Sequence, residues 1–274
     1  SNNLPAPFEN FLARSLMKGN TLYVHPYKSE IIDAWVVFYR PIHIKNKLPK
    51  RLNGDQIDKL AVQIAQFHKA CDTVKNTLPV SSKTMKTDIY DILNLLDSEE
   101  GKYDYPLYRE LIRSQCELFL ANYDKLNGAE LENMPVFVDW NIGNFSVTPS
   151  FKLFSRWDYD WFRMSSRMLD FYFLSRVVSD IGDKTVFSYN IDVMMQPRFL
   201  QFLKKYHQVN PLSEREILFL KESYRFFILT YVVKYGRFFF HEIFANKLQK
   251  EAFEIHLPSI DTKFDPQPLL NAIK

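Results

Sequence analysis

Apolar side chains recur at helical spacing over most of this chain and alternate with polar ones in a few short runs. The helical rhythm predicts a short helix over 5–17, with Phe8, Phe11, Leu12 and Leu16 on one face. A longer helix is predicted over 55–74, with Ile57, Leu60, Ala61, Ile64, Phe67, His68 and Cys71 turned inward; Asn53-Gly54-Asp55 is its start signal. Residues 106–126, 165–179 and 192–207 read the same way, and a short helix is expected near 89–96 inside a polar stretch. Ser213 with Glu216 forms a capping box: each side chain bonds an amide that the first turn leaves free. That box opens a helix expected to run to about 244 or 250. Strand-like runs fall at 21–24, 34–39, 145–148 and 151–154, and 136–138 is a short buried strand or loop. The strongest candidate for a membrane span, 226–240, is interrupted by Lys234, Gly236 and Arg237 and reads as a core helix.

Composition narrows the class. The 274 residues suffice for a sizeable core; 46% are hydrophobic and 16% aromatic, which excludes a disordered chain. The formal charge of +3 is small and scattered, so nucleic acid is not an expected partner. Cys71 and Cys116 lack metal-binding spacing and fall in helices, as buried thiols of a reducing cytoplasm do. No signal peptide, nucleophile elbow or His-Glu-x-x-His zinc motif is visible.

The chemistry concentrates in Phe137-Val-Asp-Trp-Asn-Ile-Gly-Asn-Phe145, Arg156-Trp-Asp-Tyr-Asp160 and Leu169-Asp170-Phe171. Asp139 is followed after five residues by Asn144, and a predicted hairpin then brings Asp158 beside Asn144. Phosphoryl transfer needs a carboxylate to orient and deprotonate an acceptor hydroxyl. It also needs hard oxygen ligands to hold magnesium against phosphates. Paired carboxylates for glycoside hydrolysis are the rival reading of Asp139 and Asp158; the helical content and the asparagine spacing argue against it.

Residues 137–171 resemble the aminoglycoside phosphotransferase and choline kinase family. Its pattern is His-Gly-Asp, four residues, Asn, a hairpin, an aspartate before an aromatic residue, and a later Asp. The resemblance implies an α+β, protein-kinase-like fold with a mostly helical large lobe. It places Asp139 as the catalytic residue, Asn144 and Asp158 as metal ligands, and Asp170 as the aspartate that braces the catalytic loop. It further implies ATP and Mg2+ as cofactors and a small hydroxylated molecule as acceptor. On its order of elements, residues 1–44 form a reduced nucleotide-binding lobe, and 45–274 carry the catalytic loop, metal site and acceptor pocket. Backbone groups of Phe38, Tyr39 and Arg40 would meet the adenine, and Glu9 is the candidate to pair with a phosphate-binding lysine. Trp161, Tyr224, Tyr231 and Tyr235 become candidate pocket walls, with Asp160 and Glu242 candidate partners of a cationic acceptor. His68 reads as a packed core histidine.

The departures have physical content. Phe137 stands for the family histidine and removes a polar support of the metal loop. Val138 stands for the glycine, Asn141 for a frequent second histidine, and Trp157 for an aliphatic residue. Seven glycines occur, none in a phosphate-cradling cluster, and the lysine-bearing strand has no counterpart in residues 1–44. Two functions follow: an ATP-dependent phosphotransferase acting on a small-molecule hydroxyl, expected in the cytoplasm, or a non-catalytic kinase-like binding or scaffold protein. Neither the acceptor nor the oligomeric state is legible.

Overall fold

The structure, a computed structural model, describes residues 3–78, 83–99, 101, 105–182 and 188–274. It begins with irregular chain and two hairpins. Strands β1 (Met17–Lys18) and β2 (Thr21–Leu22) pair antiparallel, as do β3 (Val24–Lys28) and β4 (Asp33–Val37). The helical lobe opens with α1 (Gly54–Val74), α2 (Met85–Asp97), α3 (Arg109–Lys125) and the single turn α4 (Gly128–Leu131). Four short strands follow: β5 (Met134–Val136), β6 (Phe145–Val147), β7 (Leu153–Arg156) and β8 (Arg163–Ser165). The rest is helical: α5 (Met168–Val178), α6 (Pro197–Val209), α7 (Glu214–Phe227), α8 (Gly236–Phe239), α9 (Glu242–Glu251), α10 (Leu257–Lys263) and α11 (Gln267–Ala272).

Residues 5–17 are not helical. Their backbone pairs across the fold instead: the Arg156 amide donates to the Phe11 carbonyl at 2.7 Å, and the Ala13 amide to the Arg156 carbonyl at 2.9 Å. Farther on, Ser15 bridges Tyr39 in antiparallel sense. Pairing with β7 and the end of β4 outweighs the local period. The apolar positions still matter, since Phe8 and Phe11 are buried and pack edge-on against Phe67 at 5.4 and 5.1 Å. Glu9 is therefore not carried on a helix.

The helices of the large lobe form where expected, with shifted ends. Asn53 caps α1 in a box with Gln56, and Ser213 caps α7 in the box with Glu216. The last expected helix is broken. After Phe227 the chain enters a π-helical segment, Ile228–Lys234, and α8 ends at an extended Phe240. An inserted π residue rotates the following side chains by about 100° relative to an unbroken helix. Helix α1 packs along α6, and α5 against α7. The core runs between them and is rich in aromatics, including Phe67, Phe171, Phe199, Phe202 and Tyr206. Both cysteines are free and buried. Among the described residues, no helix is long and apolar enough to cross a membrane.

Candidate active site

Strand β5 delivers the chain to residues 137–144, and β8, which the hydrophobic pattern did not anticipate, holds β5 in place from Met134↔Ser165 to Val136↔Arg163. The loop then folds on itself. The Asp139 amide donates to the Phe137 carbonyl at 2.6 Å, Trp140 to Val138 at 3.0 Å, and Asn144 to Asn141 at 2.9 Å. Asp139 is half-buried, and its Oδ1 accepts the Asn141 amide at 3.2 Å. Burial pushes its carboxyl up to about 6. Nearby Asp158 adds to that rise, while the Asn141 amide, Arg156 and Arg176 oppose it. A carboxylate with raised proton affinity that stays reachable from solvent is suited to accept a hydroxyl proton.

Hairpin β6–β7, in register at Phe145↔Arg156 and Ser146↔Ser155, returns the chain beside Asn144. The Trp157 amide donates to the Asn144 carbonyl at 3.0 Å, so Asp158 emerges next to that asparagine. Asn144 Nδ2 lies 3.4 Å from the Asp139 carbonyl, which directs its Oδ1 elsewhere. Asp158 is exposed and adopts φ 65°. Among the described residues, no group of three or more His, Cys, Asp or Glu side chains is gathered for a metal ion. One carboxylate and one amide oxygen are therefore no self-sufficient cage. They are hard oxygen donors of the kind that could hold magnesium where other oxygens complete its shell.

Asp170, on the first turn of α5, holds the loop from beneath and is fully buried. Its Oδ1 accepts the amides of Phe137 at 3.0 Å and Val138 at 2.6 Å, and its Oδ2 lies 3.0 Å from His68 Nε2. His68 is a core histidine with a defined tautomer. The Tyr206 hydroxyl, 2.7 Å from His68 Nδ1, already accepts from Arg167 and Asn210, so its own proton goes to Nδ1. Nε2 therefore carries the hydrogen and donates it to Asp170.

The amide pair on Asp170 explains how a valine is accommodated where the resembled pattern has glycine. Val138 has φ 59°, a left-handed conformation that a β-branched residue adopts at a cost of about 1–3 kcal/mol. Its amide is pinned to Asp170 and its side chain is buried, so the surroundings impose the conformation. Phe137, in place of the histidine, is buried against Phe67, Tyr159 and Phe162.

Two arginines at the site were missed from the sequence. Arg156 is fully buried, with its guanidinium 4.3 Å from the Trp140 ring centre and 5.0 Å from that of Phe137. Its Nη2 donates to the Asp139 carbonyl at 2.9 Å. Arg176 on α5 reaches Asn141 Oδ1 at 3.4 Å. The available signal for Arg156 was an arginine inside an apolar hairpin just ahead of Asp158.

The other candidates are placed unevenly. The Phe38 carbonyl accepts from the Leu16 amide at 2.7 Å, and the Arg40 amide donates to Arg14 at 2.8 Å. By antiparallel alternation, Tyr39 between them directs its backbone groups to the opposite edge, the only one of the three candidates whose backbone is turned away from this pairing. Arg40 also lines a cavity of about 250 Å³ with Arg14, His43 and Phe154. Glu9 keeps Oε2 buried with no hydrogen-bond partner among the described residues. Trp161 and Tyr231 come together at 4.7 Å, joined by Phe239 at 5.6 Å from Trp161. Tyr224 lies deeper, donating to the Tyr189 carbonyl at 2.6 Å, and Tyr235 sits beneath Lys234. Asp160 and Glu242 are exposed.

No protein-family model matches the sequence, and a search of curated proteins gave no match. Solved structures do match in fold. An amicoumacin kinase, hAmiN, in complex with AMP-PNP, Ca2+ and Ami has a TM-score of 0.60 at 14% identity, covering 95% of this chain and 76% of that one. A point mutant of aminoglycoside 2'-phosphotransferase-IIIa bound to GDP has a TM-score of 0.53 at 14% identity, covering 93% and 78%. The AMP-bound spectinomycin phosphotransferase APH(9)-Ia has a TM-score of 0.50 at 15% identity, covering 85% and 73%. The chain has the α+β, kinase-like fold of the aminoglycoside phosphotransferases.

Proposed function

We propose that this protein is an ATP-dependent phosphotransferase acting on a hydroxyl of a small molecule. One observation carries the reading: a loop braced by Asp170 presents Asp139, and a hairpin sets Asp158 beside Asn144 on the same loop. Asp139 orients the acceptor hydroxyl and takes its proton at the carboxylate. Asn144 Oδ1 and the Asp158 carboxylate hold Mg2+, which when bound neutralises and orients the nucleotide phosphates. Tyr39 and its neighbours Phe38 and Arg40 form the adenine-side edge, residues 1–44 serve the nucleotide, and 45–274 carry the chemistry. The solved kinases of this fold were captured with AMP-PNP, GDP or AMP, which supports a nucleotide in that role.

The test is calorimetry with MgATP followed by turnover on a panel of alcohols. Asp139→Asn is expected to keep nucleotide binding and abolish transfer; turnover at the wild-type rate removes the proposed base. Asp158→Asn is expected to weaken nucleotide binding only when Mg2+ is present.

The surface of the N-terminal hairpins favours a second reading, a kinase-like binding or scaffold protein. Ile31 is 92% exposed and Trp35 73%, with Tyr27 and Ile32 about half exposed, and exposed apolar surface of this kind marks binding faces. Absence of MgATP binding by the whole protein selects that reading.

A further inference from the structure

The side chain of Arg156 meets the backbone of the proposed base. Its Nη2 bonds the Asp139 carbonyl at 2.9 Å, the oxygen that Asn144 Nδ2 approaches at 3.4 Å. Its main chain ties β7 to the first segment through Phe11 and Ala13, and two residues later the chain reaches Asp158. The remaining guanidinium nitrogens, Nε and Nη1, are buried without an acceptor among the described residues. The faces of Trp140 and Phe137 meet the guanidinium in their place, each of them a neighbour of Asp139 in the loop. Burying a full charge is costly, and a methionine of similar length would fill the space without that cost. A guanidinium kept here under those conditions does something that packing alone would not require.

We propose that Arg156 is the positioning residue of the catalytic loop, supplying from β7 the polar support that Phe137 cannot give from within the loop; this rests on the phosphotransferase reading for its catalytic consequence. By fixing one carbonyl, it sets the turn from Asp139 to Asn144. The Asn144 amide hydrogens are directed to the same carbonyl, which leaves Oδ1 free for the metal. Phe137 then has a role of its own, because a histidine cation at that position would face the guanidinium with like charge, whereas a ring face attracts it.

The experiment compares Arg156→Met and Arg156→Lys with the wild-type chain. Amide hydrogen exchange reads the loop directly, and calorimetry of ADP with and without Mg2+ reads the metal clamp. In Arg156→Met, exchange at residues 139–144 is expected to accelerate by about tenfold or more, the loss of one bond to a charged donor, while α1 and α6 keep their protection. The Mg2+-dependent gain in ADP affinity is expected to fall by a similar factor. Arg156→Lys, which keeps a cation able to donate, is expected to recover part of both. Unchanged loop exchange in Arg156→Met, or a uniform rise across the whole chain, overturns the proposal, as does a lysine variant no better than methionine. If Arg156→Met does not fold, Arg156→Lys alone decides: it must show selective loop exchange above wild type, and wild-type exchange overturns the proposal. If the wild type binds no MgADP, the phosphotransferase reading fails, while the exchange data still decide whether Arg156 holds the loop.

Discussion

Replacing Asp170 by asparagine removes one charge and adds two hydrogens, and the site has no place for them. The amide oxygen can stay on the Phe137 and Val138 amides, now as a neutral acceptor in place of a carboxylate. Bonds to charged groups contribute about 1.5–3 kcal/mol each and neutral ones about 0.5–1.5, so this exchange costs about 2 kcal/mol over the two amides. The amide nitrogen then faces His68 Nε2, which carries a hydrogen because Nδ1 accepts from Tyr206. If the imidazole keeps that tautomer, two buried donors oppose each other, at about 1–3 kcal/mol for each unsatisfied group. If it switches, Nδ1–H meets a Tyr206 oxygen that already accepts from Arg167 and Asn210, and the tyrosine proton loses its acceptor. Arg156 also loses the carboxylate that most favours its charge.

Either route leaves two buried polar groups unsatisfied on top of the weakened amide bonds and destabilises the fold by about 4–8 kcal/mol. For a chain of this size that lowers the melting temperature by about 10–20 °C. Urea denaturation and thermal melting, both followed by far-ultraviolet circular dichroism, measure it. An Asp170→Asn protein within about 1 kcal/mol of wild type with an unchanged denaturant slope refutes the tautomer assignment and the bracing role together.

Four further outcomes are expected. At Val138, glycine is expected to be more stable than alanine by about 1 kcal/mol, because φ 59° penalises any Cβ; in denaturation experiments, an alanine variant as stable as the glycine one shows that the backbone relaxes. Burial and nearby Lys263 push His256 down to about 4, below its ordinary value, so the unfolded chain binds the extra proton first. Its contribution is complete above about pH 6.5 and is lost as pH falls toward 4, by about 2–3 kcal/mol; a denaturation series with the same pH slope in His256→Phe contradicts this. Asp88→Ala leaves Arg163 without its partner at 2.7 Å, at 4% and 11% side-chain exposure, and is expected to cost about 3–5 kcal/mol, while Asp88→Leu with Arg163→Met recovers most of it in urea melts. Burial drives Cys71 well above the ordinary thiol range and Cys116 up to about 12, so both are expected to resist a thiol reagent until the chain unfolds; rapid labelling of the native protein refutes this.

The parts of this molecule that were legible in its sequence are those whose causes are local. Asp139 and Asn144 share one turn, and Asp158 follows from the hairpin that this turn starts. The long helices announce themselves through period and caps, as Asn53 and Ser213 show. What was not legible depends on distant backbone. Residues 5–17 carry a helical period, yet Arg156 and Tyr39 recruit their amides and carbonyls into strand-like pairing. The π segment after Phe227 breaks a helix that the apolar pattern continues, and it turns Tyr231 toward Trp161. The loop over residues 137–144 shows the same limit within a few residues. Taken singly, Phe137 and Val138 are losses: a polar support gone, and a side chain where the backbone wants glycine. Asp170 is what makes the valine tenable, since two amide bonds to one buried carboxylate oppose the strain of one φ angle. Arg156 gives the phenylalanine ring a charge to face. Both supports come from outside the loop, one 33 residues after Phe137 and one on the neighbouring strand. A one-residue comparison with the family pattern therefore detects the substitutions and misses what stabilises them.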